Sequence, residues 1–357
     1  MKTFLVRRWF LILLAAALAV GIHFARELEW LVEIDAIRNG IVFCVLFVMA
    51  FPLHAGAIWN TLRRPAAPLL ASLINFGLLP LMAWGLAPLL LAAGVGTSTV
   101  YGILSAVATP ATLASASVWT RRAGGNDAVS MVVTIVTNAL CFLITPLWLT
   151  LMIGQQVGEE GKQLFEPIPM IIKLALLVVL PMVIAQALRL VGSVGAWATA
   201  HKTPLGVLAQ CGVLSMIFMG SIQTGLLLAN RQPAPQPAEA QSAQSPTTQA
   251  AKQESSSVVL DMGAAVATVM ALHVSTLALG VMLARWLRMN RADAIAVGFA
   301  GSQKTLMVGL QVAIDLRFSA VPIVAYHVGQ LLIDTVVAER YRRRTEQLEE
   351  ASRQVGE

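Results

Sequence analysis

Long apolar runs recur along this chain, separated by short turns that hold most of its charge. A helix needs roughly 20 mainly apolar residues to cross a bilayer, so each such run predicts one spanning helix. The pattern predicts ten spans, at about Arg8–Ala25, Ile37–Leu53, Pro65–Ala92, Tyr101–Thr120, Ala128–Ile153, Pro167–Leu190, Pro204–Ala229, Val258–Trp286, Ala292–Ile314 and Ser319–Val337. Residues 1–153 thus carry spans one to five, 154–229 spans six and seven, and 258–338 spans eight to ten. Between them, residues 230–257 are rich in Pro, Gln, Ala and Ser and nearly free of large apolar side chains, which predicts a flexible linker. The charged tail, residues 339–357, is expected to protrude and to begin as a short helix.

Two of the runs interrupt themselves. The fourth contains Ala108-Thr-Pro-Ala-Thr-Leu-Ala-Ser115, where hydroxyls sit beside a proline that lacks a backbone donor. The ninth contains Phe299-Ala-Gly-Ser-Gln-Lys-Thr305, which places a lysine within an apolar span. A broken helix at membrane depth is tolerable only where protein or a water-filled cavity receives the freed backbone groups. Ten spans divide into two halves of five, and an odd number per half makes the second half enter from the opposite side. Breaks at corresponding positions of two such inverted halves are a recurrent transporter plan.

Composition supports the membrane reading, since 57% of residues are hydrophobic and 12% charged, with a mean hydropathy of +0.73. The net charge of +6 raises nucleic acid as a partner, but the basic residues form small clusters between apolar runs and no continuous basic surface. Those clusters orient the bundle instead. Lys2, Arg7 and Arg8, then Arg63 and Arg64, Arg121 and Arg122, Arg189 and Lys202, Arg285 to Arg291, and Arg340 to Arg344 all fall on one side if both termini are cytoplasmic. The long linker then lies outside an inner membrane. The first run also has the form of a signal peptide, with Lys2, Arg7 and Arg8 before Trp9–Gly21, but a retained helix keeps the number of spans even. Cys44, Cys141 and Cys211 lie in apolar segments without metal-ligand or disulfide spacing. No nucleotide loop, HExxH or serine nucleophile elbow occurs, so the sequence predicts no enzyme and no cofactor beyond a coupling ion.

Lys304 is the sharpest candidate, because an ammonium near the bilayer centre costs about 2.5–3.5 kcal/mol even on insertion scales and needs a partner or a water path. It either bonds to carbonyls of the break in span four, in the place of a cation, or attracts an anionic substrate, or gains and loses its charge by protonation during transport. Ser302, Gln303 and Thr305 lie beside it, with Thr109, Thr112 and Ser115 as expected opposites and Asn75 in span three. Ser130, Thr134, Thr137 and Asn138 recur at near-helical spacing and share a face of span five. Any one hydroxyl can simply bond its own i−4 carbonyl, so the cluster carries more weight than its members. Asn126 or Asp127 is expected to cap span five. His273, His327 and Asp334 are weaker candidates.

The stretches Asn75-Phe-Gly-Leu-Leu-Pro80, Thr109-Pro-Ala-Thr-Leu-Ala-Ser-Ala-Ser-Val-Trp-Thr120, Ala123-Gly-Gly-Asn-Asp127, Val133-Thr-Ile-Val-Thr-Asn138 and Gly301-Ser-Gln-Lys-Thr305 resemble the bile acid:sodium symporter superfamily, in its SBF-like branch. That resemblance implies an all-α polytopic fold of ten helices in two inverted five-helix repeats, with broken helices four and nine crossing at the membrane midplane. It implies a panel of helices 1, 2, 6 and 7 against a core of helices 3–5 and 8–10. It places the sodium-site positions of the wider family at Asn75, Ser115 with Ala116, Ser130 with Thr134, and Phe299 with Gln303 and Lys304. The glutamate of that set is here Phe299, and Lys304 stands where an asparagine is expected. One carboxylate fewer and one ammonium more argues against two sodium ions in those places, and leaves one weak sodium site near Ser130, Thr134 and Gln303, a proton, or no coupling ion. The expected function is secondary transport of a small organic, anionic solute by a monomer or homodimer in the lipid bilayer. The alternative is a cation-homeostasis or regulatory membrane protein on the same fold.

Overall fold

The fold is taken from a computed structural model, which describes residues 2–53, 65–113, 115–154, 166–229 and 247–355. Every regular element among the described residues is a helix. In chain order these are α1 Lys2–His23, α2 Glu29–Glu33, α3 Asp35–Ala50, α4 Ala66–Ala92, α5 Thr97–Ala108, α6 Ser115–Arg122, α7 Asp127–Gly154, α8 Pro167–Arg189, α9 Gly192–Ala200, α10 Lys202–Ala229, α11 Thr247–Trp286, α12 Arg291–Ser302, α13 Leu306–Asp315 and α14 Val321–Val355. Among the described residues, α4, α7, α8, α10, α11 and α14 contain six segments long and apolar enough to cross a membrane. The other predicted runs are represented by α1, by the 16-residue α3, and by the pairs α5 with α6 and α12 with α13, each pair being one run cut by a break.

Two helix ends depart furthest from the hydropathy reading. The helix predicted from Val258 begins at Thr247, because Ala, Lys, Gln and Glu in Thr247–Glu254 are good helix formers that extend an already nucleated helix. The predicted linker otherwise lies outside the described residues, as do the turns at 54–64 and 155–165. The tail is no short helix but a continuation of α14 to Val355, supported by pairs of Glu339 with Arg342 and Arg343 on its surface. A further helix, α9, stands between the sixth and seventh runs.

Packing forms two sets of neighbours. The helix α10 lies against α1 and α3, and α3 against α8, whose Gln186 Nε2 donates to Ala50 O at 2.7 Å and whose Arg189 Nη1 donates to Phe51 O at 2.9 Å. Those bonds satisfy carbonyls that the end of α3 leaves without intrahelical donors. In the other set α12 packs on α11, α4, α7 and α6, and α14 packs on α11, α5 and α6. The α11–α12 approach is close enough to require glycine. A Cβ on Gly280 would lie 3.1 Å from Gly298 Cα, and one on Gly298 would meet Val281 Cγ2 at 2.6 Å and Leu277 O at 3.0 Å. Gly298→Val is expected to lower the melting temperature of the purified protein, at an overpacking cost of about 1–3 kcal/mol. Gly263→Val, where nothing stands within 4 Å, is expected to leave it unchanged.

Candidate functional site

The two breaks meet. Between α5 and α6 the chain leaves the helix at Thr109, which takes extended angles of φ −80° and ψ 161°. Between α12 and α13 it does the same at Gln303 and Thr305. The Thr305 amide donates to Pro110 O at 2.9 Å, joining the two breaks backbone to backbone. Each break frees backbone groups in a buried place, and side chains of neighbouring helices take them up, as the cost of an unpaired buried group requires.

For the first break the partners come from α7. Thr145 Oγ1 donates to Ala108 O at 2.8 Å, Asn138 Nδ2 to Ala111 O at 2.8 Å, and Thr134 Oγ1 to Thr112 O at 3.1 Å, while Thr137 Oγ1 accepts from the Ala111 amide at 3.2 Å. The polar face of the fifth run is thus committed to holding the fourth run open. For the second break, Asn75 Nδ2 donates to Gln303 O at 2.8 Å and Tyr326 Oη to Ser302 O at 2.7 Å. Gln330 brackets Lys304, accepting from its amide and donating to its carbonyl, both at 2.9 Å. Thr145, Tyr326 and Gln330 were not among the sequence candidates. A polar side chain in an apolar run was the available signal, but only the fold shows that each faces a break.

Lys304 is 2% exposed. Its Nζ donates to Thr109 O at 2.7 Å, Asn75 O at 2.7 Å and Asn75 Oδ1 at 3.1 Å, with the Phe76 ring centroid at 5.5 Å. An ammonium has three N–H donors, and these acceptors match them in number. The Asn75 carbonyl is free for a local reason. In α4 the segment Ile74–Leu78 is a π-turn, so the Leu79 amide reaches Ile74 O, and the residue that would serve Asn75 in that register is Pro80, which has no N–H. Pro80 likewise leaves Phe76 O without its α-helical donor, and Trp148 Nε1 takes it at 2.6 Å. Pro80 therefore works as the source of an acceptor for Lys304.

The remaining candidates divide. Gln303 bridges two groups, its Oε1 accepting from Ser115 Oγ at 2.9 Å and its Nε2 donating to Asp334. Thr112 Oγ1 and Ser115 Oγ bond each other at 2.8 Å, and Thr109 Oγ1 returns to Ala106 O at 2.7 Å. Ser302 Oγ turns back to Phe299 O at 3.3 Å within its own helix. Ser130 stands apart, bonded to Thr120 Oγ1 at 2.7 Å. Ser130, Thr134 and Gln303, expected as a weak sodium site, each hydrogen-bond a neighbouring group here. Asn126 precedes α7 without a side-chain capping bond; its Nδ2 instead donates to Asp293 at 2.7 Å, and Asp127 pairs with Arg121. The adjacent α12 competes successfully for the amide.

The matches to known proteins follow this geometry. Residues 4–225 and 243–343 match the family model described as the SBF-like CPA transporter family (DUF4137). The chain belongs to this family. Within it, the chain is 28% identical over 340 residues to the uncharacterized protein PA2026 of Pseudomonas aeruginosa, covering 93% of this chain and 90% of that one. It is 22% identical over 310 residues to sodium/bile acid cotransporter 7-B of Xenopus laevis, covering 83% and 79%. It is 24% identical over 214 residues to the uncharacterized sodium-dependent transporter YocS of Bacillus subtilis, covering 58% and 63%. As an SBF-like CPA transporter family member with six long apolar helices, this is a multi-pass membrane protein of a transporter family.

Proposed function

We propose that the chain is a secondary active transporter that carries a small organic anion across an inner membrane by alternating access. The observation that supports it most is the Lys304 ammonium seated on oxygens of Asn75 and Thr109 where two broken helices meet. Such a site holds a positive charge where two broken helices join, and half-helix ends around a charge are a common design for solute sites. In this reading the ten runs form two inverted halves, and α1, α3, α8 and α10 form a panel that rocks against the rest. Both termini are cytoplasmic. Sodium, which relatives carry in their names, and the proton are the two candidate driving ions.

The test is uptake into vesicles that hold the purified protein, with labelled carboxylates, sulfonates and phosphates offered under an imposed sodium gradient or an imposed pH gradient. Gradient-dependent uptake of at least one anion is expected. No uptake of any solute, together with altered sodium or calcium levels in a deletion strain, would favour the cation-homeostasis reading.

A further inference from the structure

Behind the Lys304 site lies a buried pair with a proton to account for. His273 of α11 and Asp334 of α14 are both 0% exposed, and Nε2 stands 3.0 Å from Asp334 Oδ1. On the other side of the ring, Nδ1 stands 3.2 Å from Ser302 O, the last carbonyl before the break. A backbone carbonyl only accepts, so Nδ1 must carry a hydrogen. A neutral imidazole has one N–H, which leaves Nε2 with a bare lone pair facing a carboxylate oxygen. That contact is favourable only if one more proton lies between them, either on Nε2 or on Asp334. The opposite tautomer moves the conflict to Nδ1 and Ser302 O. Both contacts are satisfied together only when the pair holds an added proton.

Asp334 is also the acceptor for Gln303 Nε2, and Gln303 in turn accepts from Ser115 on the far side of the first break. The protonation state of the pair is therefore in hydrogen-bond contact with both breaks. Asp334 and Asp261 are the buried carboxylates among the described residues, and Asp261 is held elsewhere by the Gly96 amide and Thr99. Other ionisable groups on helices packed against the pair have partners or face outward; Asp293 of α12, for example, accepts from Asn126 and Asn290. Tyr326 bonds Ser302 O, His327 bonds Gln330, Lys304 is caged, Tyr101 packs on Phe318, Asp315 bonds Arg38 and Lys173, Arg122 faces Glu339, Arg291 bonds the Tyr341 carbonyl, and Arg285 and Lys202 are exposed.

We propose that His273 and Asp334 form a proton site, and that loading it leaves Lys304 as the uncompensated charge that draws in an anionic solute. Without the added proton, the Asp334 carboxylate balances the Lys304 ammonium and the buried centre is neutral. With it, the centre carries one net positive charge in a low-dielectric interior, where an anion restores neutrality. Proton and anion then bind in favour of each other, which is the condition for electroneutral symport. The coupling half rests on the transporter reading above, whereas the proton site stands on geometry alone.

The test is nitrogen-15 NMR of histidine-labelled protein in lipid over a pH series, with the His273 signals identified by their loss in His273→Gln. In the wild type, Nδ1 is expected to stay protonated throughout while the Nε2 signal changes as the shared proton leaves. Asp334→Asn is expected to abolish that change. A bare Nδ1 with a protonated Nε2 at every pH overturns the proposal, and the wild-type spectrum alone decides this even if a variant misfolds. An unaltered titration in Asp334→Asn, or replacement of the proton by sodium when sodium salt is exchanged for potassium salt, also overturns it. In vesicles under a pH gradient without sodium, uptake of a labelled carboxylate, sulfonate or phosphate is expected to acidify a trapped pH dye in the wild type only. Uptake without acidification overturns the coupling and leaves the transport reading intact. Uptake of no solute overturns the transport reading, and with it the coupling, while the NMR result still decides the proton site.

Discussion

Replacing Lys304 by alanine is expected to abolish uptake and to lower the melting temperature more than any other single change at the site. The side chain donates to Asn75 O and Thr109 O, two carbonyls freed by a π-turn ahead of Pro80 and by the break at Pro110. A buried acceptor left unpaired costs about 1–3 kcal/mol, and two of them take a large share of the ~5–15 kcal/mol that holds a typical domain. Lys304→Met keeps the bulk and removes the charge, so it isolates the electrostatic part. Lys304→Arg keeps the charge, but its planar fork does not reproduce the three-way geometry of an ammonium. Melting curves and vesicle uptake under separate sodium and pH gradients check these outcomes. Unchanged uptake with unchanged ion dependence in Lys304→Met would reduce the lysine to a structural role.

The second large effect is expected at the other end of α13. Asp315 bonds Arg38 of α3 at 2.8 Å and Lys173 of α8 at 2.7 Å, so one carboxylate links α13 to two helices of the neighbouring set. Gln311 joins the same node, donating to Asn39 Oδ1 at 3.0 Å. Arg38 is 5% exposed and is also paired with Asp35, and the group borders a cleft of about 610 Å³ that holds Glu29, Glu33 and Arg317 as well. Asp315→Asn is expected to destabilise the protein, by less than the ~3–5 kcal/mol of a fully buried broken pair because the cleft admits water. A double-mutant cycle with Arg38→Met is expected to be non-additive by more than ~0.5 kcal/mol. Additive effects would show that the two charges are held by their other neighbours. Arg38 and Lys173 are far apart in the sequence, and the fold makes them two arms of one node.

Much of the site was legible as residue type and little as partnership. Thr109-Pro110 and Gly301–Thr305 marked the breaks because proline and a charged residue inside an apolar run are costly wherever they occur. Thr134, Thr137 and Asn138 were visible as a polar face, but their task is to satisfy the carbonyls and amide of the first break, which helical spacing cannot reveal. Ser130, Thr134 and Gln303 were legible as oxygen-bearing residues, whereas the bonds of Ser130 to Thr120 and of Gln303 to Asp334 come only from the fold. Two distant histidines gave no sign of a pair with Asp334, because 61 residues separate His273 from it.

The sequence by itself determined that this chain lives in a membrane, where its helices run, and at which two points they break, since apolar length, proline and a mid-span charge act locally. Tertiary structure alone decided what meets at those points. Lys304 finds Asn75 across 229 residues and Thr109 across 195, and no periodicity encodes that separation. Buried polar groups must be paired, but which partner pairs them depends on how the helices pack, and that packing is what puts a lysine and a proton-holding pair on either side of Gln303.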